Sequence, residues 1–175
     1  RLLSRGLGDV YKRQLYICIM EAETMNISLY KAGINDKALL DNLLQLYLHD
    51  LSEFMHIEVG PNGKYEQNIS SKYVSSFDRS AYIIHAEYHI IGFVLVEPTQ
   101  DVTNVKDLFV LNMWRGKGVG SSVVETLLGQ GKPLSCKFHG KNELAKYFWD
   151  NIAKNPLHRL SSHEEGGLIH LKVDY

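Results

Sequence analysis

Cysteine is scarce: Cys18 and Cys136 are the only two in 175 residues. Two thiols cannot build a disulfide framework, which suits a reducing, cytoplasmic compartment. Neither charge dominates. Nineteen Lys and Arg stand against 20 Asp and Glu, a formal net charge of −1. That balance argues against a chain held to nucleic acid or to a membrane surface by its overall charge. The apolar run at 15–20, LYICIM, is far short of the roughly 20 residues that span a bilayer. It also lacks a small-residue cleavage site of the secretory kind. The eight histidines are scattered without a zinc-binding spacing, so no metal is expected. Internal repeats, low-complexity tracts and linkers are missing as well. What is present is ordinary for a globular chain: 45% apolar and 22% charged residues. Disorder throughout, collagen and coiled coil are excluded.

The first residues read differently from the rest. RLLSRGLGDVYKRQ at 1–14 is similar to the translation of a sequencing-library adapter, and GDVYKRQ carries most of that similarity. The alternative is a genuine basic arm, with Arg1, Arg5, Lys12 and Arg13 against Asp9. Met25 is a better natural start than Met20, because a strand pattern begins at Ile27. The expected organisation is a non-native or disordered leader at 1–24 and a single domain at 25–175.

Within 25–175 the periodicity alternates between strand and helix. ISLYK at 27–31 reads as a strand. Asn35 or Asp36 can cap a helix over 36–51, whose Leu39, Leu40, Leu43, Leu44, Tyr47 and Leu51 follow the 3.6-residue period. GPNG at 60–63 marks a turn; the stretch 64–79 supports no assignment. AYIIHAE (81–87) and IIGFVLVEP (90–98) predict an antiparallel hairpin turning at Tyr88-His89. VKDLFVL (105–111) is a further strand. A glycine-rich segment then opens a helix that buries Val119, Val123, Val124, Leu127 and Leu128. LSCKFHG (134–140) is a strand. Asn142 caps a helix with Leu144, Ala145, Phe148, Trp149 and Ile152 on its apolar face. LIHLKVDY (168–175) alternates like a last strand. The class is mixed α/β.

Chemistry concentrates in the unit strand, Arg115-Gly116-Lys117-Gly118-Val119-Gly120, helix. Glycine lets backbone approach a ligand. A helix start offers unpaired N–H groups and a partial positive charge. Together they suit phosphate oxygens, and Arg115 and Lys117 add formal charge. The segment is not a Walker loop, since no Lys-Ser/Thr pair follows the required spacing. It is not a dinucleotide fingerprint either, because its spacing is G-x-G-x-G and no strand ending in an acid follows at the right distance.

Arg115 to Gly120 does resemble the R-x-x-G-x-G motif of the GNAT N-acetyltransferases. The preceding LFVL, the tryptophan before Arg115 and the N-x-x-A-x-x-F-W run at 142–149 are similar to that family's flanking segments. The resemblance covers about residues 26–175. It implies a mixed, mostly antiparallel sheet, flanked by helices and splayed at its centre between 105–111 and 134–140. It implies acetyl-CoA as co-substrate and no metal. Pantetheine would lie in the gap against the backbone of Phe109 and Val110. The pyrophosphate would rest on the amides of Arg115, Gly116, Lys117, Gly118, Val119, Gly120 and Ser121. Asn142 would be a cofactor contact or simply a helix cap. The acceptor would be the amine of a small molecule or peptide, and the protein a monomer or homodimer.

Direct transfer to an amine needs a proton acceptor, polarisation of the thioester carbonyl and a route for the departing thiol. The N–H of Val110 can polarise the carbonyl. Asp107 can be the base, directly or through water, or a solvent-facing edge charge; His139 is another candidate. In the family pattern a tyrosine seven residues after the capping asparagine often acts as acid. Here that position is Trp149, whose indole only donates a hydrogen bond. Tyr147 is a weak substitute, facing another way on the helix. His49, Asp50, Glu53 and His56 sit where the family often builds the acceptor site, or form a solvated helix end. Tyr65 and Tyr73 line the acceptor pocket or cover the core. Cys136 reads as a strand residue, not a nucleophile. The competing readings are a non-catalytic acyl-CoA-binding module and an unrelated nucleotide-phosphate binder.

Overall fold

The computed structural model describes residues 25–53 and 55–175. The adapter-like segment, LYICIM and Cys18 lie outside the described residues.

The chain runs through β1 (Ile27–Lys31), α1 (Lys37–Leu51), α2 (Ile69–Val74), β2 (Ser80–Ala86), β3 (His89–Pro98) and β4 (Thr103–Val110). It continues through α3 (Val119–Leu128), β5 (Leu134–His139), α4 (Glu143–Ala153), β6 (Arg159–Glu165) and β7 (Leu168–Asp174). The strands form one seven-stranded sheet in the order β1-β2-β3-β4-β5-β7-β6. Every pairing is antiparallel except β4 with β5. This is the mixed, mostly antiparallel α/β architecture that the resemblance implies.

Each half of the apolar pattern covers one sheet face. Leu40, Leu43 and Leu44 of α1 pack with Ile83, Phe93, Leu95 and Phe109. On the other face Val119, Val123, Val124 and Leu127 of α3, with Trp149 and Ile152 of α4, pack with Ile84, Val94 and Val105. A side chain as fully buried as Leu40 or Leu44 contributes about 1.5–3 kcal/mol relative to exposure. Alternation along β3 and β4 sends neighbouring side chains to opposite clusters, so the central strands are apolar on both faces.

Several local expectations are corrected. Asp36 does not cap α1 through its side chain; its carboxylate accepts the Gly33 N–H at 2.8 Å and closes the short 3-10 turn before the helix. The β2–β3 hairpin turns at Glu87-Tyr88, one residue earlier than expected, with Glu87 at φ +53°. Leu144, placed on the apolar face of α4, is exposed. The unassigned 64–79 stretch holds α2, and β6 has no counterpart among the expected strands.

Candidate active site

The sheet splits where β4 and β5 part. Their pairing covers only Thr103–Val105 with Leu134–Cys136. The joined end is pinned by the Thr103 N–H to the Pro133 carbonyl at 2.9 Å. The Ser135 hydroxyl also donates to Asn104 Oδ1 at 2.5 Å. Beyond it the strands diverge around a cavity of about 620 Å³. Lys106 to Val110 line one wall, Lys137 and Phe138 the other, and the Arg115–Ser121 region and α4 close the ends.

The register decides which backbone groups look into this gap. Leu111 N–H donates to the Ile91 carbonyl at 2.8 Å. Antiparallel ladders alternate, so the Val110 N–H and C=O point away from β3, toward the open side. The same alternation, with Val94 opposite Leu108 and Phe93 opposite Phe109, turns the Leu108 backbone into the gap and that of Phe109 toward β3. The backbone groups that face the gap are therefore those of Leu108 and Val110, and not those of Phe109. The Phe109 side chain is buried against α1.

The glycines of the motif serve different ends. Gly116 and Gly118 have φ of +72° and +80°, and a Cβ on either would meet nothing within 4 Å. Both conformations favour glycine, and Gly118 is the left-handed residue that launches α3. Gly120 is required for packing: its Cβ would come within 2.6 Å of the Phe148 ring. All three glycines border the cavity, and Gly120 also lets α4 approach α3. Lys117 Nζ lies 5.3 Å from the Trp114 ring centre.

Arg115 is held from two sides. Its Nε donates to the Val110 carbonyl at 2.7 Å, and its Nη2 donates to the Asp50 carboxylate. The guanidinium also sits over the Phe109 ring, 5.6 Å from its centre, within cation–π range. This link ties the end of α1 to the glycine loop and to β4. The sequence pointed to Arg115 and to Asp50 separately and missed their contact.

At the other lip stands Asp107. It is partly buried and accepts a hydrogen bond from the Tyr47 hydroxyl. Burial pushes its carboxyl above the usual range; the Tyr47 bond and Lys106 pull it partly back, and Glu97 adds to the rise. Burial, then the Asp107 charge, raises the Tyr47 phenol well above its ordinary value, so Tyr47 stays a protonated donor. Tyr47 is the site residue that sequence reasoning missed. The helical period makes it only one more member of an apolar face, and its hydroxyl was the available signal.

The other candidates separate. Asn142 Oδ1 accepts the Ala145 N–H at 3.0 Å, so the cap is real, and the residue also borders the cavity. Tyr147 and Trp149 both border the cavity; Tyr147 is exposed, whereas Trp149 is buried in the core. His139 Nδ1 accepts the Lys141 N–H at 3.1 Å in a turn and does not border the cavity. Tyr73 is buried, with its hydroxyl donating to Glu97 at 3.0 Å. Tyr65 clamps its loop to α1 through paired bonds with Gln45 at 2.8 and 3.0 Å. Asp50 reaches the cavity, while His49 contacts Tyr65 and the exposed His56 contacts Glu58. Cys136 is buried, and its thiol is pushed up to about 12, which suits a packed strand residue and not a nucleophile.

A sheet split beside a glycine-rich helix start, with a partly buried carboxylate at the opposite lip, marks a class of site that can take a phosphate-bearing ligand at one end and a proton at the other. The comparisons narrow this class. The acetyltransferase (GNAT) family matches residues 40–149, and the chain belongs to that family of acetyltransferases. Solved structures share its fold at low identity. An acetyltransferase from Thermus thermophilus aligns with TM-score 0.62 and 16% identity, over 85% of this chain and 96% of that one. The PaiA N-acetyltransferase from Thermoplasma acidophilum, in complex with coenzyme A, aligns with TM-score 0.60 and 12% identity, over 86% and 100%. Arabidopsis thaliana Naa50, in complex with a bisubstrate analogue, gives 0.56 and 12%, over 85% and 98%. Comparison with curated proteins finds no match. Among the described residues no helix is long and apolar enough to cross a membrane.

Proposed function

We propose that this acetyltransferase, with residues 25–175 as its working domain, passes an acetyl group from acetyl-CoA directly to the amine of a small molecule or peptide. The observation that carries the reading is the Val110 N–H facing a gap that also meets the open backbone of Gly116 and Gly118. That arrangement fits the donor. Pantetheine, an extended chain with amides, can pair with Leu108 and Val110 as a missing strand would. The pyrophosphate fits the N–H groups of Arg115 to Ser121, and Asn142 borders the same space. We place the work in a reducing, cytoplasmic setting, on the strength of the scarce cysteine and the buried Cys136.

Bound acetyl-CoA supplies an activated acyl carbon. The protein's own groups do the rest. The Val110 N–H donates to oxygen where negative charge develops. Asp107, held in place by Tyr47, takes the proton that the amine must lose, directly or through one water. Tyr147 is the hydroxyl of α4 nearest in sequence to the family's acid position, and its exposure leaves water as an equal proton source for the departing thiolate. Alignment of the two reactants against β4 supplies much of the remaining acceleration.

Calorimetry with acetyl-CoA tests the binding half. Binding well below about 1 mM is expected; none at that concentration, a ceiling worth about −4 kcal/mol, would sink the proposal. Arg115→Ala should weaken that binding and leave the fold intact. The hydrogen bonds it removes are polar links outside the two apolar clusters. An unchanged affinity would remove the Arg115 side chain from the site.

The raised Asp107 pKa fixes the pH behaviour. A base must be ionised, so activity falls as acid protonates it. That fall should come at a higher pH than an ordinary aspartate would give. In stability the sign is the reverse. A carboxyl whose folded pKa is raised contributes most below its unfolded value and loses that contribution as pH rises through the folded one. The profile of kcat/KM against pH reads the first effect; an acid limb at ordinary carboxylate values would contradict Asp107, with its raised pKa, as the base.

A further inference from the structure

The β6–β7 hairpin brings together three side chains that neither the fold nor the acetyl-transfer site needs. Its turn is Gly166-Gly167, with φ of +59° and +77°, a two-residue connection whose positive φ values match the twist of the strands. That turn fixes the register, which sets His163 directly opposite His170 and Glu165 opposite Leu168. Side chains alternate along a strand, so His163, Glu165 and His170 share one face. The two imidazoles lie nearly parallel, ring centres 4.7 Å apart. One ligand atom from each of the three residues lies within 4.8 Å of the others. The same face carries Ser161, Lys137 and Lys172 around a cavity of about 430 Å³ that both histidines border.

We propose that His163, Glu165 and His170 form a binding site for a divalent first-row transition ion of the zinc type. Two imidazoles and one carboxylate suit zinc, nickel, cobalt or copper better than calcium or magnesium, which prefer all-oxygen shells. At metal–ligand distances of about 2.0–2.2 Å, tetrahedral ligands stand roughly 3.4 Å apart. The three groups must therefore close by an ångström or so. Exposed side chains on a fixed backbone can do this by small rotations. Three protein ligands leave a fourth position for water. The ion would cross-link β6 to β7 close to their turn, at the outer edge of the sheet. The neighbouring cations, Lys137 opposite His170 in β5 and Lys172 two residues along β7, weaken the site without blocking it.

Linear spacing hid this arrangement, because the residues meet only through the hairpin register. It replaces the expectation of no metal and stands apart from the acetyl-transfer reading, since the three side chains lie outside that cavity.

The test is zinc titration of the full chain, purified without a polyhistidine tag, by competition with a chromophoric chelator. One equivalent should bind at about 100 µM free zinc or less. The supporting partners of metal ligands alone are worth about 10–100-fold in affinity. The double variant His163→Ala, His170→Ala should therefore lose more than about a hundredfold, while His56→Ala binds as the parent does. Glu165→Gln offers a second reading should the double variant fail to fold, with affinity expected to fall. Cobalt(II) should develop visible bands of low coordination number in the parent only. Absence of zinc binding at that concentration, or binding unchanged in the double variant and in Glu165→Gln, would overturn the site.

Discussion

Asp107→Asn should lower kcat by about 10²–10⁴-fold, the usual worth of a positioned general base, with little change in affinity for acetyl-CoA. Asparagine is nearly the same shape and can still accept the Tyr47 hydroxyl, so the contact between α1 and β4 survives. What disappears is the capacity to hold a proton. The backbone groups that face the cavity, at Leu108, Val110 and the glycine loop, are untouched. Replacing a partly buried carboxylate by a neutral amide should leave stability unchanged or slightly improved, because burial disfavours the charged form. Steady-state kinetics separate the alternatives. A collapse of kcat at constant acetyl-CoA affinity assigns the base to Asp107. An unchanged kcat would move the proton acceptor elsewhere and leave Asp107 as an edge charge. Tyr47→Phe should produce a smaller loss, since it frees the carboxylate without removing it.

Gly92→Ala should destabilise the protein by about 1–3 kcal/mol, toward the upper end of what overpacking costs. A Cβ at position 92 would stand 2.0 Å from the Phe109 carbonyl oxygen. No rotamer relieves that clash, because the obstacle is backbone and alanine has no torsion to change. Either β3 or β4 must shift. Gly92 sits opposite Val110, the residue whose N–H faces the gap, so the same displacement should reduce kcat/KM in the fraction that stays folded. Chemical denaturation measures the first effect through its midpoint. A midpoint equal to the parent's would mean that β4 yields freely and that the register beside the gap is loosely held.

Much of this architecture was readable where structure is local. The leucines of α1 and the valines of α3 recur at helical spacing, and the β2–β3 pair announces itself by β-branched residues. The Asn142 cap depends on a contact only three residues long. What was missed depends on contacts distant in sequence. RLSSHEE in β6 has no apolar alternation, because as the outermost strand it buries almost nothing, and only its pairing with β7 makes it a strand. The six residues of α2 are too few to show a period. Tyr47 and Asp107 are sixty residues apart, and no pattern in either segment predicts that α1 lays its hydroxyl on β4. Gly120 borders the cavity as its neighbours do, and nothing local shows that it also packs on the Phe148 ring of another helix. Leu108 displaced Phe109 for a similar reason: which residues of a strand offer their amides to the gap follows from the ladder with β3.

The most direct measurement is release of free thiol from acetyl-CoA across a panel of primary amines and peptide N-termini, parent beside Asp107→Asn. Amine-dependent release by the parent, reduced about a hundredfold or more by the substitution, is the predicted result. Release that is independent of any amine, absent throughout the panel, or equal in the two proteins would contradict direct transfer beside Val110 with Asp107 as the base.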